Sequence, residues 1–258
     1  MAAQNEGRKY AVVGKRPVRH DGIEKVTGGA QYGADMRLPG LLYGKVLRSP
    51  HAHARIRSID TRKASAYLAG AAVVTSADLP PSVAVDQSVV LGQTPSQNIL
   101  ANGKVLYKGQ PVAAVAANSP HVAAEALALI EVVYEPLPHV TNVEEAMKSG
   151  APILHEHWVD GKVFGDESAN PTNIATRDQY VLGDPESGFR DADLVLEREF
   201  RTKSVHQGYI EPQNATAWWA PDGRLTIWCS SQGHFGIRDN TARILGVPVD
   251  QVKVVPME

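Results

Sequence analysis

Gln232 is the residue whose type and place point most directly to chemistry. It follows the apolar run RLTIWC, Arg224 to Cys229, and precedes a segment with helical spacing, so its amide stands where a strand hands over to a helix. The first N–H groups of a helix lack intrahelical acceptors and favour negatively charged ligands, and a side-chain amide beside them can donate to an oxo or phosphate oxygen. Upstream, HQGYIEPQN gathers His206, Gln207, Glu211, Gln213 and Asn214 ahead of the apolar ATAWW. Polar groups so dense beside a strand are exposed, bonded to one another, or lining a site. On residue types alone a satisfied polar turn and a ligand site both stay open.

Other patterns carry less. His51 and His53, and again His155 and His157, are two apart and would project from one face of an extended segment as metal ligands can. No carboxylate or cysteine cluster completes either pair, so turn histidines satisfied by backbone carbonyls are the expected reading. GLLYGK, Gly40 to Lys45, has three residues between its glycines where a phosphate loop needs four, and Val46 stands where Ser or Thr would bind magnesium. GGAQYG, Gly28 to Gly33, lacks the spacing of a dinucleotide fingerprint. No G-x-S-x-G elbow occurs, which weakens a serine-hydrolase reading.

These residues must be positioned by a real core, because a chain of 258 residues buries roughly 70–75% of its unfolded surface. Hydrophobic residues at 43% and charged residues at 21% are those of a globular protein, so disorder and a membrane protein are not indicated. The net charge of −2, with basic residues scattered, offers no stripe for a phosphate backbone, and nucleic acid is not an expected partner. The opening MAAQNEGRKYAVVGK has no apolar core of a signal peptide, and no run approaches the ~20 apolar residues that span a bilayer. A cytoplasmic location is expected. A single cysteine, Cys229, excludes an internal disulfide and a cysteine-ligated cluster built by this chain alone.

Periodicity predicts strands over Leu41–Arg48 and Ala54–Asp60, with Pro50 and two histidines in the turn between them. A short apolar run, Ala71 to Val74, precedes a Pro-, Ser- and Gln-rich stretch from Pro80 to Gln97 that reads as a surface excursion. PVAAVAA from Pro111 reads as a buried strand, and Ser119 and Pro120 fit the N-cap and first turn of a helix. Val122, Ala123, Ala126, Leu127 and Ile130 form its apolar stripe, and IEVVYE returns to the two-residue period of a strand. Between Lys148 and Thr172 turn formers dominate, which suits a linker, with a domain boundary near Thr141 to Gly150. Beyond it, Asp184–Arg190 carries a weak helical signal, and ADLVLEREFRT and RLTIWC are predicted strands. A helix with the stripe Ile237, Thr241, Ile244 and Leu245, stopped by Gly246 and Pro248, leads into the strand VKVVP.

HDGIEKVTGGAQYGADMRLPGLLYGKVLRSPHAHARIRSID, His20 to Asp60, resembles the entry to the α/β hammerhead domain of molybdenum hydroxylases, the xanthine dehydrogenase and aldehyde oxidase family. KGQPVAAVAANSPHVAAEALALIEVVYEPLPHV, Lys108 to Val140, resembles that domain's closing strand, helix and strand. HQGYIEPQNATAWW and SSQGHFGIRDNTARILGVPVDQVKV are similar to the opening of the molybdopterin-binding domain. The resemblance implies an α+β fold: an N-terminal extension over 1–20, the hammerhead domain over 21–142, a linker over 143–175, and an incomplete α+β molybdopterin-binding domain over 176–258.

It also implies a chemistry. In this family a molybdenum ion, held by a pterin dithiolene, inserts a water-derived oxygen at an electron-poor carbon and takes up two electrons. The family's glutamine that donates a hydrogen bond toward a molybdenum oxo ligand matches Gln232, and Ser231 and Gly233 would lie near the cofactor through backbone contacts. Glu211 matches a recurrent acidic position, to which no base role is given. No protein side chain of this chain is expected to ligate the metal. The cofactor, molybdopterin or its cytosine dinucleotide form, would be shared with a C-terminal portion. Iron–sulfur clusters and FAD would sit only on partner subunits.

The family's glycine-rich phenylalanine loop would follow directly after VKVVPME, and its general-base glutamate later still, so the chain is expected to be inactive without that C-terminal portion. An incomplete chain, a split subunit, and a noncatalytic partner or assembly module reusing the front half all fit. A purine, aldehyde, N-heterocycle or related small molecule would be the substrate.

Overall fold

The computed structural model describes residues 10–68, 72–80, 99–156, 172–174, 180–209 and 213–258. Packing divides the chain into two compact units: Leu38–Ile210 with Asp239–Val249, and Met1–Arg37 with Glu211–Arg238 and Asp250–Glu258. This grouping is discontinuous in sequence, whereas the segments read from the sequence run in chain order.

The first unit holds two antiparallel three-stranded sheets. β1 (Tyr43–Arg48), β5 (Pro111–Ala117) and β3 (Val73–Thr75) lie in the order β1-β5-β3. β4 (Lys104–Val105), β2 (Ala54–Asp60) and β6 (Glu131–Pro136) lie in the order β4-β2-β6. β5 is central because its side chains are short, apolar and buried along most of the strand: Val112, Ala113, Val115 and Ala117 are each at most 1% exposed.

Helix α2 (Arg62–Leu68) and helix α3 (Pro120–Ala128) pack on each other, and α3 packs on β1 and β5. The Ser119 hydroxyl accepts the Val122 N–H at 3.2 Å and fixes where α3 starts. The seam between these elements is made largely of alanine: Ala64, Ala113, Ala117, Ala123 and Ala126, closed by Leu68, Val115 and Ile130. Small residues on both sides let helix and sheet approach closely without voids. A second cluster, Ala54, Ala101, Val105 and Val112, joins β2, β4 and β5.

Buried polar residues stitch the turns of this unit. The Gln110 carboxamide oxygen accepts the Leu106 N–H at 2.6 Å, the Ser49 N–H donates to the Gln110 carbonyl at 2.9 Å, and Gly109 N–H donates to the Ser49 carbonyl at 2.8 Å. His53 Nδ1 lies 2.7 Å from the Pro138 carbonyl, which can only accept, so Nδ1 carries the proton. His51 meets Tyr134 edge-on at 5.0 Å. After α4 (Val143–Ala146), the Asn173 amide donates to the carbonyls of Ala146 and Pro152 and clips that stretch together.

The second unit is a three-stranded sheet in the order β7 (Ala215–Trp219), β8 (Leu225–Cys229), β9 (Val252–Pro256). β7 and β8 are antiparallel, while β8 and β9 are parallel. Parallel neighbours need a crossover connection. Here the crossover is a helix, His234–Leu245, which Gly246 ends with its φ of 67°.

Three expectations need correction. ADLVLEREFRT forms no strand: residues 192–202 carry no ladder among the described residues, and Leu194 and Leu196 are 74% and 70% exposed. Alternation alone makes no strand where no neighbour takes up its backbone groups. The first strand starts at Tyr43 rather than Leu41. Helix α2 has no counterpart in the periodicity reading, because RKASAYL buries only Ala64 and Leu68. The weak helical signal at Asp184 is met by α5 (Pro185–Asp191), capped by the Asp184 carboxylate accepting the Ser187 N–H at 3.2 Å. Most of the Pro80–Gln97 stretch lies outside the described residues.

Candidate functional site

The site is built at one end of the β7-β8-β9 sheet. β8 buries Leu225, Ile227 and Cys229 on one face, at 5%, 9% and 5% exposure, while Thr226 and Trp228 take the other. That two-residue period sets which side chains of β8 face the core. The register pairs Cys229 with Ala215 on one side and with Pro256 on the other. The end of β8, the end of β9 and the start of β7 therefore lie side by side. In sheets with parallel strands joined by helices, ligands bind outside the carboxyl ends of the strands.

From this edge springs the turn Ser230–Gly233, leading into helix α6 (His234–Leu245). The Ser231 hydroxyl accepts the Gly233 N–H at 2.9 Å, and the Gly233 carbonyl accepts the Ile237 N–H at 3.1 Å. Ser231 is thus a local turn former, and the Gly233 N–H is already engaged. Gln232 at the apex is exposed, and a Cβ on Gly233 would meet nothing within 4 Å, so the turn's outer side is open to a ligand. The Arg238 guanidinium stacks over Phe235 at 5.2 Å from the ring centroid. Cys229 is buried beneath, and burial raises its thiol pKa.

Two polar atoms near this turn are buried without hydrogen-bond partners: Asn214 Oδ1, at the entry to β7, and His234 Nε2, at the start of α6. Asn214 is also held sterically. A Cβ on Gly33 would stand 2.1 Å from its Oδ1, so that glycine leaves the space the amide fills.

The end of β9 is tied down as well. Met257 N–H donates to the Cys229 carbonyl at 3.1 Å, and Glu258 N–H donates to the Gln31 carbonyl at 3.4 Å. The Glu258 carboxylate pairs with Lys25, on helix α1 (Gly22–Thr27), and Lys25 pairs with Asp21 as well. The Arg19 and Lys25 cations hold the Asp21 carboxyl well below the usual carboxylate range.

Of the polar run singled out in the sequence, only part converges here. Asn214 reaches the strand edge, Glu211 lies outside the described residues, and His206 and Gln207 belong to the other unit. There His206 Nδ1 accepts the Gly208 N–H at 3.0 Å and its ring lies against Tyr209. His53 is engaged by the backbone, and His157 lies outside the described residues. Among the described residues no group of three or more His, Cys, Asp or Glu could hold a metal ion. Sequence reasoning missed Gly33, His234 and the Lys25–Glu258 pair. Only the unusual density of polar residues around Asn214 gave a local signal.

Two family models match the chain: the aldehyde oxidase and xanthine dehydrogenase a/b hammerhead domain over residues 27–138, and the molybdopterin cofactor-binding domain over residues 166–258. The chain is 35% identical over 238 residues to a probable xanthine dehydrogenase subunit of Bacillus subtilis, covering 92% of this chain and 29% of that one. It is 36% identical over 251 residues to the carbon monoxide dehydrogenase large chain of Afipia carboxidovorans, covering 96% and 30%. Among solved structures, quinoline 2-oxidoreductase from Pseudomonas putida 86 superposes with a TM-score of 0.76 at 29% identity, covering 94% of this chain and 30% of that one. The chain thus spans about 30% of the length of these relatives. Two domain models in the order seen in one family, matches across most of the chain, and a shared fold give one answer: the chain belongs to the xanthine dehydrogenase and aldehyde oxidase family of molybdenum hydroxylases, with the hammerhead and molybdopterin-binding domains of its large subunit.

Proposed function

We propose that this chain supplies part of the cofactor-binding wall of a molybdenum-dependent oxidoreductase, and that the turn Ser231–Gly233 faces the cofactor. The observation that carries this is the turn itself: an exposed amide on Gln232 and an open glycine, set at the carboxyl edge of a parallel strand pair and at the head of a helix of 12 residues. The donor set fits an oxygen-rich group. Gln232 can donate through its amide, and the first N–H groups of α6 have no intrahelical acceptors. His234 brings a ring nitrogen without a partner to the same edge.

When bound, the molybdenum–pterin group, as molybdopterin or its cytosine dinucleotide form, supplies oxygen insertion from water and takes up two electrons. Gln232 would hold it by donating its amide N–H to an oxygen of the group, while Ser231 would shape the turn and Gly233 would keep side-chain bulk away from it. The substrate is a small molecule such as a purine, aldehyde or N-heterocycle, and the electrons leave through iron–sulfur and FAD partner subunits in the cytoplasm. The hammerhead domain is assigned to 21–142 and the cofactor-binding portion to 176–258. The remaining wall of the site comes from further molybdopterin-binding sequence, on this chain or another. Among the described residues no helix is long and apolar enough to cross a membrane.

The test is molybdenum by elemental analysis and pterin by fluorescence, on the chain expressed alone and on the chain purified with the polypeptides its host keeps attached. Molybdenum and pterin in the attached preparation are the expected result. Neither in either preparation would refute the cofactor reading and favour a noncatalytic partner or assembly role.

A further inference from the structure

Residues 19–35 precede every described strand, yet they join the second unit rather than the hammerhead sheets. They touch it at two points, one on each side of β8. Gly33 abuts Asn214, whose neighbour Ala215 pairs with Cys229 from the β7 side. Lys25 and Gln31 hold Glu258, whose neighbour Met257 donates to the Cys229 carbonyl from the β9 side. Cys229 is the last residue of β8, directly before the turn that carries Gln232. Both contacts therefore bear on the base of that turn.

The Asn214 contact is costly to keep. Its Oδ1 is buried with no donor among the described residues, so the amide is seated by shape rather than by a hydrogen bond. Replacing Gly33 by any residue with a Cβ would put carbon 2.1 Å from that oxygen and 3.0 Å from Cγ, so the amide would have to leave its seat.

We infer that Gly33 and Lys25 are positioning residues for the cofactor turn, acting through Asn214 on one flank and Glu258 on the other. The inference rests on the cofactor reading above, and it gives the segment before the hammerhead sheets a part in setting the turn. It predicts a lock whose two halves can be exchanged together. Gly33→Ala displaces the Asn214 amide, and Asn214→Ala removes the atoms that the new Cβ would strike.

The test uses the chain purified with its attached polypeptides, comparing wild type, Gly33→Ala, Gly33→Ala with Asn214→Ala, and Lys25→Gln. Molybdenum and pterin retained per folded chain are read over time after dilution, with thermal melting and circular dichroism alongside. Gly33→Ala is expected to lose cofactor ~10–100-fold faster, the scale for residues that orient a metal site from behind its ligands, with melting little changed. The double variant should recover most of the retention. Lys25→Gln places no bulk and should lose cofactor faster to a smaller degree, with less response to added salt than wild type shows.

Wild-type retention in Gly33→Ala and Lys25→Gln, with cofactor present in the wild type, would overturn this inference alone. So would a loss in Gly33→Ala that tracks a lowered melting temperature and is not relieved by Asn214→Ala, since that is ordinary destabilisation. Absence of cofactor from the wild type would refute the cofactor reading itself, and this inference with it.

Discussion

Replacing His53 separates the hydrogen bond it makes from the space it fills. The residue is 5% exposed, its Nδ1–H donates to the Pro138 carbonyl at 2.7 Å, and its Nε2 is buried without a partner. His53→Ala leaves that carbonyl without its donor, costing ~1–3 kcal/mol. The vacated ring opens a cavity of ~60 Å³, which at ~24 cal/mol per Å³ adds ~1.5 kcal/mol. The total is about 2.5–4.5 kcal/mol. His53→Asn keeps an N–H where Nδ1 stands and should cost only ~1 kcal/mol for lost packing. His53→Gln keeps more bulk but carries its amide toward the position of Nε2, where no partner waits, so it should cost nearly as much as alanine. Tryptophan fluorescence is a poor assay, because three of the four tryptophans, Trp218, Trp219 and Trp228, lie in the other unit. Hydrogen exchange at the Leu137 amide, which donates to the His53 carbonyl at 2.9 Å, reads this region directly. Where exchange follows opening of the unit, alanine should accelerate it ~10²–10³-fold and asparagine about tenfold or less, at ~1.4 kcal/mol per factor of ten. Glutamine as stable as wild type, or asparagine as damaging as alanine, would show that Nδ1 is not what holds the Pro138 turn.

Two further outcomes follow from the same structure. Gln232→Ala should leave stability within about 0.5 kcal/mol, because the side chain is exposed, while lowering turnover or cofactor retention ~10–100-fold in the assembled protein. Wild-type rates with an unchanged molybdenum signal would remove Gln232 from the site. His155 is pushed below its ordinary value of 6.5 by burial and, second, by Lys104, whose ammonium donates to the neighbouring Leu154 carbonyl at 2.8 Å. The unfolded chain then binds a proton more readily than the folded one. Stability from this group is complete above pH 6.5 and falls as pH drops below it. His155→Gln should flatten that slope in urea midpoints taken between about pH 7.5 and 5, and an unchanged slope would place the titration elsewhere.

The parts legible in the sequence are those whose signals are local. Ser119 and Pro120 announce α3, the unbroken apolar run PVAAVAA and the alternation of IEVVYE announce β5 and β6, and Gly246 marks where α6 stops. The turn carrying Gln232 was legible for the same reason, because strand, turn and helix adjoin. What escaped depends on partners far along the chain. His53 and Pro138 are 85 residues apart, and nothing near Gly33 reveals that Asn214 will sit on it. ADLVLEREFRT shows the converse error: its alternation is real, but no described strand lies beside it, so the pattern has no ladder to join.

The alanine seam limits how this molecule can be improved. Ala64, Ala113, Ala123 and Ala126 are each fully buried, so enlarging any one of them forces a helix away from the sheet at ~1–3 kcal/mol. Filling the interior, a common route to a hardier protein, is closed here. Substitutions that raise the melting temperature of the hammerhead unit must therefore be sought at helix caps, exposed loops and surface charges. Selection in a hotter host would leave its record on the outside of the unit while the seam stayed alanine.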